Sequence, residues 1–245
     1  MVDTPMPLTA HLAELRTRLF WCVAALAVGF LICYAGSHTI VALLQSPWRP
    51  IGQPLKVPLQ IIAPAEAFLT YLKVGLIAGL FLALPAILYQ LWKFVAPGLL
   101  EHEKKYTVPF LVGSTLLFYV GGGLFYLLLP FVITFLLSFT SEDITAQLSV
   151  GYYVTFCIRL MIACGLVFQI PMVVVFLTQL GLLSSRTLIK YFRYAIVLTF
   201  IITAVLTPPD PISQTFMAVP ALLLYGVSIL AAKYVEKRRM AMAED

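Results

Sequence analysis

Charged side chains are scarce in this chain of 245 residues, at 11% against roughly 25% in an average soluble domain. Residues 74–92 and 106–141 carry none at all. A helix that crosses the hydrocarbon core of a bilayer needs about 20 mostly apolar residues. The lack of charge excludes a soluble globular protein. The apolar runs predict an all-α integral membrane protein, with a single polytopic domain over residues 1–245.

Side chains that support catalysis or bind metals are also few. The three histidines, His11, His38 and His102, all lie outside the predicted spans, and the four cysteines show no CxxC or Cys/His spacing. The segment His102-Glu103-Lys104-Lys105 lacks the second histidine of the zinc-protease helix motif. An active site needs a nucleophile with a base, or a cluster of ligands. We therefore expect no catalytic residue, no metal site, no cofactor and no enzyme activity.

The apolar runs and the polar segments between them predict six transmembrane helices. The predicted spans cover residues 19–37, 67–92, 106–137, 150–180, 194–207 and 212–232. Residues 37–65 are rich in proline and predict an irregular loop with short helical or extended pieces. Residues 138–149 and 184–193 predict two further loops. The apolar part of span five reaches only about 18 Å at 1.5 Å per residue, so helices five and six are predicted to be short, with thinned lipid around them.

The basic residues predict the orientation of these spans. Nearly all of them lie in the N-terminal tail, the loops after spans two and four, and the C-terminal tail, whereas the other loops hold only Arg49 and Lys56. The positive-inside rule then places both termini in the cytoplasm. The net charge of +5 is explained as a topology signal, and no nucleic-acid partner is expected.

Three polar side chains fall inside predicted spans. Lys73 and Arg159 each lie about two turns from the outer end of a helix, where a cation either snorkels to the surface or faces a water-filled cavity. Gln169 lies deeper, and a neutral amide at such a depth most often contacts a neighbouring helix.

The polar segment Phe94 to Lys105 lies between two uncharged runs, on the predicted cytoplasmic side. Glu101 and Glu103 in this segment are compatible with an ordinary solvated loop. Glu14 and Arg18 are four residues apart on a predicted helix and are compatible with a local ion pair. A second interpretation is that Glu14 and Glu103 converge on a cationic ligand, since an arginine guanidinium matches a carboxylate bidentately. The residues alone leave both interpretations open.

Three segments resemble the TatC family, the multispanning receptor subunit of the twin-arginine protein translocase. Residues 11–19, HLAELRTRL, resemble the family's HLxELRxRL signature. Residues 85–99, PAILYQLWKFVAPGL, are similar to its PxxxYQxWxFxxPxL segment, and Glu103 follows. Residues 206–214, LTPPDPISQ, look like its LTPPDxxSQ turn. The segments occur in the family's order over almost the whole chain.

The resemblance implies a concave, cupped arrangement of the spans and a cytoplasmic site for the twin arginines of signal peptides on folded proteins. By resemblance, the residues of that site are Glu14, Arg16, Phe94, Pro97, Leu99 and Glu103. The residues implied in transport or partner docking are Pro47, Tyr126, Gln169, Asp210 and Gln214. The resemblance also favours the cavity interpretation for Lys73 and Arg159. Many relatives have glutamate where this chain has Gln169, and a neutral amide cannot titrate.

The resemblance also implies partners and a location. It predicts single-span TatA- and TatB-type proteins docking near spans five and six, a homo-oligomer within the receptor complex, and export driven by the proton motive force across a bacterial cytoplasmic (inner) membrane. The alternative function is a secondary transporter or channel for small solutes. Six spans permit an inverted repeat, but the two halves show no matching pattern and no acidic or histidine relay crosses the midplane.

Overall fold

The computed structural model describes residues 8–52, 58–95, 107–139, 147–207 and 210–244, and these residues are almost entirely helical. The helices are α1 (Leu8–Ala35), α2 (Ser37–Gln45), α3 (Arg49–Gly52), α4 (Glu66–Val95), α5 (Thr107–Leu137), α6 (Val150–Val167), α7 (Ile170–Gln179), α8 (Ser185–Lys190), α9 (Phe192–Leu206) and α10 (Pro211–Glu244). Two strands, β1 (Leu59–Gln60) and β2 (Leu148–Ser149), pair in parallel, with Leu59 opposite Leu148.

Five segments of the described residues are long and apolar enough to cross a membrane. They are His11–Ala35, Glu66–Phe94, Val108–Leu137, Val150–Gln179 and Pro211–Lys237. Each overlaps one of the predicted spans. The remaining predicted span corresponds to α9, whose 15 residues reach about 22 Å. The predominantly helical membrane architecture is confirmed, whereas the count of six spans, the location of the termini and the cupped arrangement stay predictions.

The prediction that helix six is short was wrong. Helix α10 has 34 residues and continues well beyond the apolar part that ends near Ala232. The segment after it is rich in Lys, Glu, Met and Ala, which are strong helix formers in water. Residues beyond the membrane therefore extend the same helix.

Two further boundaries differ from the prediction. The fourth span is divided into α6 and α7 around Phe168 and Gln169. Pro171, in the first turn of α7, has no N–H to offer the preceding turn, so the helical hydrogen bonding is interrupted there.

The predicted loop 184–193 contains α8, which begins where the Ser184 side chain accepts a hydrogen bond from Thr187 N. Glu236 of α10 then accepts a 2.7 Å bond from Ser185 N.

The chain divides into two compact units, and the first comprises residues 1–42 and 67–115. In this unit α1 and α4 run antiparallel and touch at two glycines. A Cβ atom added to Gly29 would lie 2.5 Å from Gly79 O, and one added to Gly79 would lie 2.5 Å from Phe30 N. Such backbone contact is possible only without side chains, as in small-residue interfaces of membrane helices.

The second unit comprises residues 43–66 and 116–245. Its core contains Phe125 and Leu129 of α5, Leu160 of α6 and Met217 of α10, all fully buried. Helix α10 packs against α7, α8 and α9. The N-terminal part of α10 thus contributes to the core, whereas its later turns hold α8 through Glu236.

Large apolar side chains are exposed along the candidate spans of both units. Leu31, Leu127 and Leu223 each have more than 60% of their surface exposed. Soluble monomers rarely present apolar patches on this scale. The exposure is typical of helices whose outer faces contact lipid.

We predict that Gly79→Ala destabilises the first unit. The added methyl group would meet the Gly29 and Phe30 backbone, and overpacking of this kind typically costs about 1–3 kcal/mol. The apparent melting temperature of the purified protein in detergent should fall.

The matched control is Gly123→Ala in α5, where an added Cβ atom meets nothing within 4 Å. This variant should melt at or slightly above the temperature of the unmodified protein, because alanine favours helix more than glycine does. Equal melting temperatures for the two variants would contradict the close glycine contact.

Candidate functional site

A polar cluster joins α1 to α4 in the first unit. Arg18 donates from Nη2 to Glu14 Oε1 at 2.8 Å and from Nη1 to Gln90 Oε1 at 3.5 Å. The Glu14 and Arg18 side chains are only 19% and 21% exposed. The spacing of four residues places both on one face of α1, which confirms the local ion pair. Partial burial makes this pair stronger than an exposed one, because water screens it less.

Aromatic stacking closes the same end of the helix pair. The His11 and Phe94 rings stack with centroids 4.4 Å apart. Two residues before Phe94 on α4, the Trp92 ring stacks on Phe110 of α5, with the ring centroids 5.1 Å apart. The start of α1 and the end of α4 therefore contact each other through these rings, and Glu14 follows His11 by three residues on the same helix.

The structure places half of the residues predicted for the arginine site. Glu14 and Phe94 lie at this shared end of α1 and α4, and Arg16 is exposed on α1. Pro97, Leu99 and Glu103 lie outside the described residues, so the convergence of Glu14 with Glu103 stays a prediction. Sequence reasoning missed His11 and Gln90, although both belong to the two motif segments.

Pro47 and Tyr126, predicted for transport or partner docking, come together in the second unit. Pro47 is buried, and its neighbour Ser46 shares a 2.7 Å hydrogen bond with the Tyr126 hydroxyl. Tyr126 also donates to Leu43 O at 2.8 Å, and Tyr153 donates to Leu44 O at 2.8 Å. Two tyrosine hydroxyls thus bond the backbone of the segment before Pro47.

Glu66 forms a further polar cluster that the sequence interpretation missed. Its carboxylate accepts hydrogen bonds from Ser149 Oγ, from Gly151 N at 2.8 Å, and from Ile62 N at 2.7 Å. It lies in the first turn of α4, where a negative charge is favoured by the helix dipole. The carboxylate links the segment after β1 to the start of α6. An acidic residue two positions after Pro64 was the available signal, because helix starts commonly follow this pattern.

Asp210 and Gln214 stabilise the start of α10. Asp210 Oδ1 accepts from Ser213 N at 2.6 Å, the usual bond of a helix N-cap. Gln214 Nε2 donates to Phe200 O at 3.0 Å. Among the described residues, Asp210 Oδ2 and Ser213 Oγ are buried without a hydrogen-bond partner. The turn therefore contains polar groups whose hydrogen bonding the described chain leaves incomplete.

The remaining predicted residues are Gln169, Lys73 and Arg159. Gln169 is located at the break between α6 and α7, and its Nε2 lies 3.5 Å from Gly165 O. Lys73 on α4 and Arg159 on α6 are both exposed. The Gln169 amide reaches back to the last turn of α6, whereas its expected contact with a neighbouring helix and the cavity interpretation of the two cations stay predictions.

The chain is similar to known proteins over nearly its whole length. A family model described as TatC, Sec-independent protein translocase protein, matches residues 10–220. The Sec-independent protein translocase protein TatC of Magnetococcus marinus is 40% identical over 239 residues, which cover 97% of this chain and 88% of that relative. Its counterpart from Helicobacter pylori is 38% identical over 229 residues, covering 93% and 88%.

Solved structures give the same result. A crystal structure of the twin-arginine translocase receptor TatC matches with a TM-score of 0.79 at 36% identity and covers 92% of this chain and 99% of that one. A crystal structure of the receptor in DDM matches with a TM-score of 0.81 at 36% identity, covering 90% and 98%.

We predict that Tyr126→Phe loosens the segment around Pro47. The change removes a hydroxyl that bonds Ser46 and Leu43 O, and a typical hydrogen bond contributes about 1 kcal/mol. Backbone amides of residues 43–52 should exchange with deuterium several-fold faster. Tyr152→Phe is the control, since Tyr152 is 83% exposed, and it should leave the exchange unchanged. Identical exchange in both variants would show that the Tyr126 hydroxyl does not hold this segment.

Proposed function

Because the chain belongs to the TatC family of Sec-independent protein translocase proteins, we propose that it binds the twin-arginine signal peptides of folded proteins through Glu14 and Glu103. The family resemblance of the three motifs is confirmed. The chain is a multi-pass membrane protein and a component of a twin-arginine protein translocase. The observation that carries the binding proposal is the partly buried Glu14 carboxylate on α1, three residues from His11, whose ring stacks on Phe94 of α4.

The chemistry of this surface suits arginine. A carboxylate has two oxygens, and Arg18 uses Oε1 of Glu14. A guanidinium presents two parallel N–H donors that match a carboxylate, and it also stacks on aromatic faces. Glu103 would supply the second carboxylate for the second arginine, with Arg16, Pro97 and Leu99 beside it. In this role the segment that follows Phe94 is half of a binding site instead of a connector.

The rest of the proposal concerns orientation and partners. We place both termini in the cytoplasm, at a bacterial inner membrane. The basic residues concentrate in the two tails and in the loops after spans two and four, and such segments stay on the cytoplasmic side. TatA- and TatB-type single-span proteins would dock near α9 and α10, and copies of the chain would associate in the receptor complex. The short α9 and the polar turn at Asp210 and Gln214 support docking there, since a partner helix would cover what lipid solvates poorly. Export would be driven by the proton motive force.

We predict that Glu14→Gln and Glu103→Gln each weaken binding of a twin-arginine signal peptide. Each change removes a charge-assisted hydrogen bond, which typically contributes about 1.5–3 kcal/mol, so the dissociation constant should rise at least about tenfold. Fluorescence anisotropy with labelled peptide and receptor in nanodiscs measures this.

Glu101→Gln is the matched control, because it removes the same charge two residues from Glu103 and should leave affinity unchanged. Unchanged binding in the Glu14→Gln, Glu103→Gln double variant would overturn the assignment. An equal loss of affinity in Glu101→Gln would also contradict the assignment, because it would indicate a general effect of negative charge.

We also predict that a twin-lysine peptide binds more weakly than the twin-arginine peptide. An ammonium is a compact point charge and lacks the planar fork that pairs with a carboxylate through two bonds. The same anisotropy measurement compares the two peptides at equal net charge. Equal affinity would show that the site recognises the charge of the peptide and not the shape of the guanidinium group.

A further inference from the structure

Basic side chains form an exposed surface at one end of the second unit, where α8 packs against α10. Arg186 and Lys190 are exposed on α8, and Lys233 and Lys237 are exposed on α10. The two members of each pair are four residues apart, so they lie on one face of their helix. Among the described residues, none of these four side chains forms an ion pair with a carboxylate. These four residues are the basic surface of the second unit.

Contacts between the two helices fix the position of α8. Leu188 of α8 is buried in one apolar cluster with Ala232 of α10, and the Tyr225 hydroxyl donates to Leu188 O at 3.1 Å. Glu236 accepts from Ser185 N at 2.7 Å through Oε1 and from the Ser185 hydroxyl through Oε2. The basic side chains of α8 are therefore held beside the turn of α10 that carries the two lysines.

The charges in this part of the chain are unequal. Residues 185–190 and 233–237 contain four basic side chains and a single carboxylate, that of Glu236. Both oxygens of this carboxylate already accept hydrogen bonds from Ser185. A surface with an excess of one sign of charge raises the local concentration of the opposite ion. The basic surface therefore attracts anions.

The basic surface lies where two helices reach the end of their apolar runs. Lys190 comes two residues before α9 begins, and Lys237 is the last residue of the candidate span in α10. Tyr191, Tyr194 and Tyr234 in the same segments are exposed. Tyrosine is enriched where a membrane meets water, because its ring is apolar and its hydroxyl is polar. The four cations are thus at the level of the lipid headgroups.

Apolar faces continue from the basic surface along both helices. Val197 and Ile201 are exposed on α9, and Val227 and Leu230 are exposed on α10. In each helix these residues are three or four positions apart, so they form a stripe that faces outward. Cations at headgroup level beside apolar surface at the depth of acyl chains match an amphiphile with a negatively charged head.

We propose that the basic surface binds the headgroup of an anionic phospholipid, whose acyl chains lie along the exposed apolar faces of α9 and α10. A guanidinium such as that of Arg186 donates two parallel hydrogen bonds to a phosphate, and lysines add point charges. Basic residues at the end of a transmembrane helix are attracted to anionic lipids. The inference goes beyond the proposed function and does not depend on Glu14 or Glu103.

Charge and apolar surface together favour this occupant over others. An acidic protein segment or a nucleic acid would match the cations and leave the adjoining apolar faces uncovered. A zwitterionic phospholipid would cover those faces and bring no net charge to the four cations. An anionic phospholipid satisfies both requirements in one molecule.

Native mass spectrometry of the full chain in detergent tests the preference for an anionic head. The protein is titrated with phosphatidylglycerol and with phosphatidylcholine of the same acyl chains. We expect a lower dissociation constant for phosphatidylglycerol, because the choline group of the other lipid cancels the charge of its phosphate. Equal dissociation constants for the two lipids would overturn the inference.

Paired substitutions test the contribution of each helix. Arg186→Gln with Lys190→Gln removes the basic residues of α8, and Lys233→Gln with Lys237→Gln removes those of α10. Attraction to anionic lipid typically falls about fivefold for each basic residue lost. Each double variant should therefore raise the dissociation constant of phosphatidylglycerol at least about tenfold. The dissociation constant of phosphatidylcholine should stay the same, which also shows that the variants are folded.

The matched control is Arg49→Gln with Lys56→Gln, which removes two basic residues from the predicted loop 37–65. The net charge falls as much as in the other double variants, but the affinity for phosphatidylglycerol should stay unchanged. An equal loss of affinity in the control would indicate a general charge effect and overturn the site.

Two further outcomes would contradict the inference. A loss of affinity in the variant of one helix alone would show that the two helices do not form the site together. Displacement of phosphatidylglycerol by millimolar inorganic phosphate, or by an acidic peptide at a lower concentration than the lipid, would assign the basic surface to a soluble anion.

Discussion

Every backbone N–H and C=O group inside a bilayer must be hydrogen-bonded by the chain itself, because hydrocarbon offers no partner. This constraint accounts for the long helices of the described residues, and it also governs their irregularities. At the break between α6 and α7, Phe168 N still bonds Cys164 O and Gln169 N still bonds Leu166 O, each at 3.0 Å. The paired strands β1 and β2 lie outside the candidate spans, where their remaining groups can be hydrated.

The same constraint explains which parts of the fold can be predicted from sequence. A span is a local property of composition, so the predicted span 106–137 differs from α5 by one residue. The extent of α10 was underestimated because a charged segment after a span resembles a tail, although its residues favour helix. The pairing of Leu59 with Leu148 could not be predicted, because no periodic pattern specifies contacts between distant loops.

In the candidate site, too, some contacts can be predicted from the sequence and others depend on how the helices pack. The Glu14 and Arg18 pair follows from a spacing of four residues, which any helix brings together. The addition of Gln90 requires that α1 and α4 be antiparallel and in one particular register, and the Gly29 and Gly79 contact sets that register. Tyr126 illustrates the same limit, since its bonds to Ser46 and Leu43 O cross about 80 residues. The motif resemblance assigned Tyr126 a role in transport or partner docking. Only the fold shows that its hydroxyl bonds Ser46 and Leu43 O.

The ion pair within the site also shapes how the proposed ligand would bind. Glu14 is already neutralised by Arg18, so an incoming arginine would exchange for or share an existing partner and would not encounter a bare buried charge. A buried carboxylate without a partner carries a large desolvation cost, which Arg18 removes in the unliganded chain. The affinity gained from each peptide arginine would then be the difference between two ion pairs. Bidentate geometry would decide that difference, because a second N–H bond to the carboxylate is what an arginine adds over a lysine.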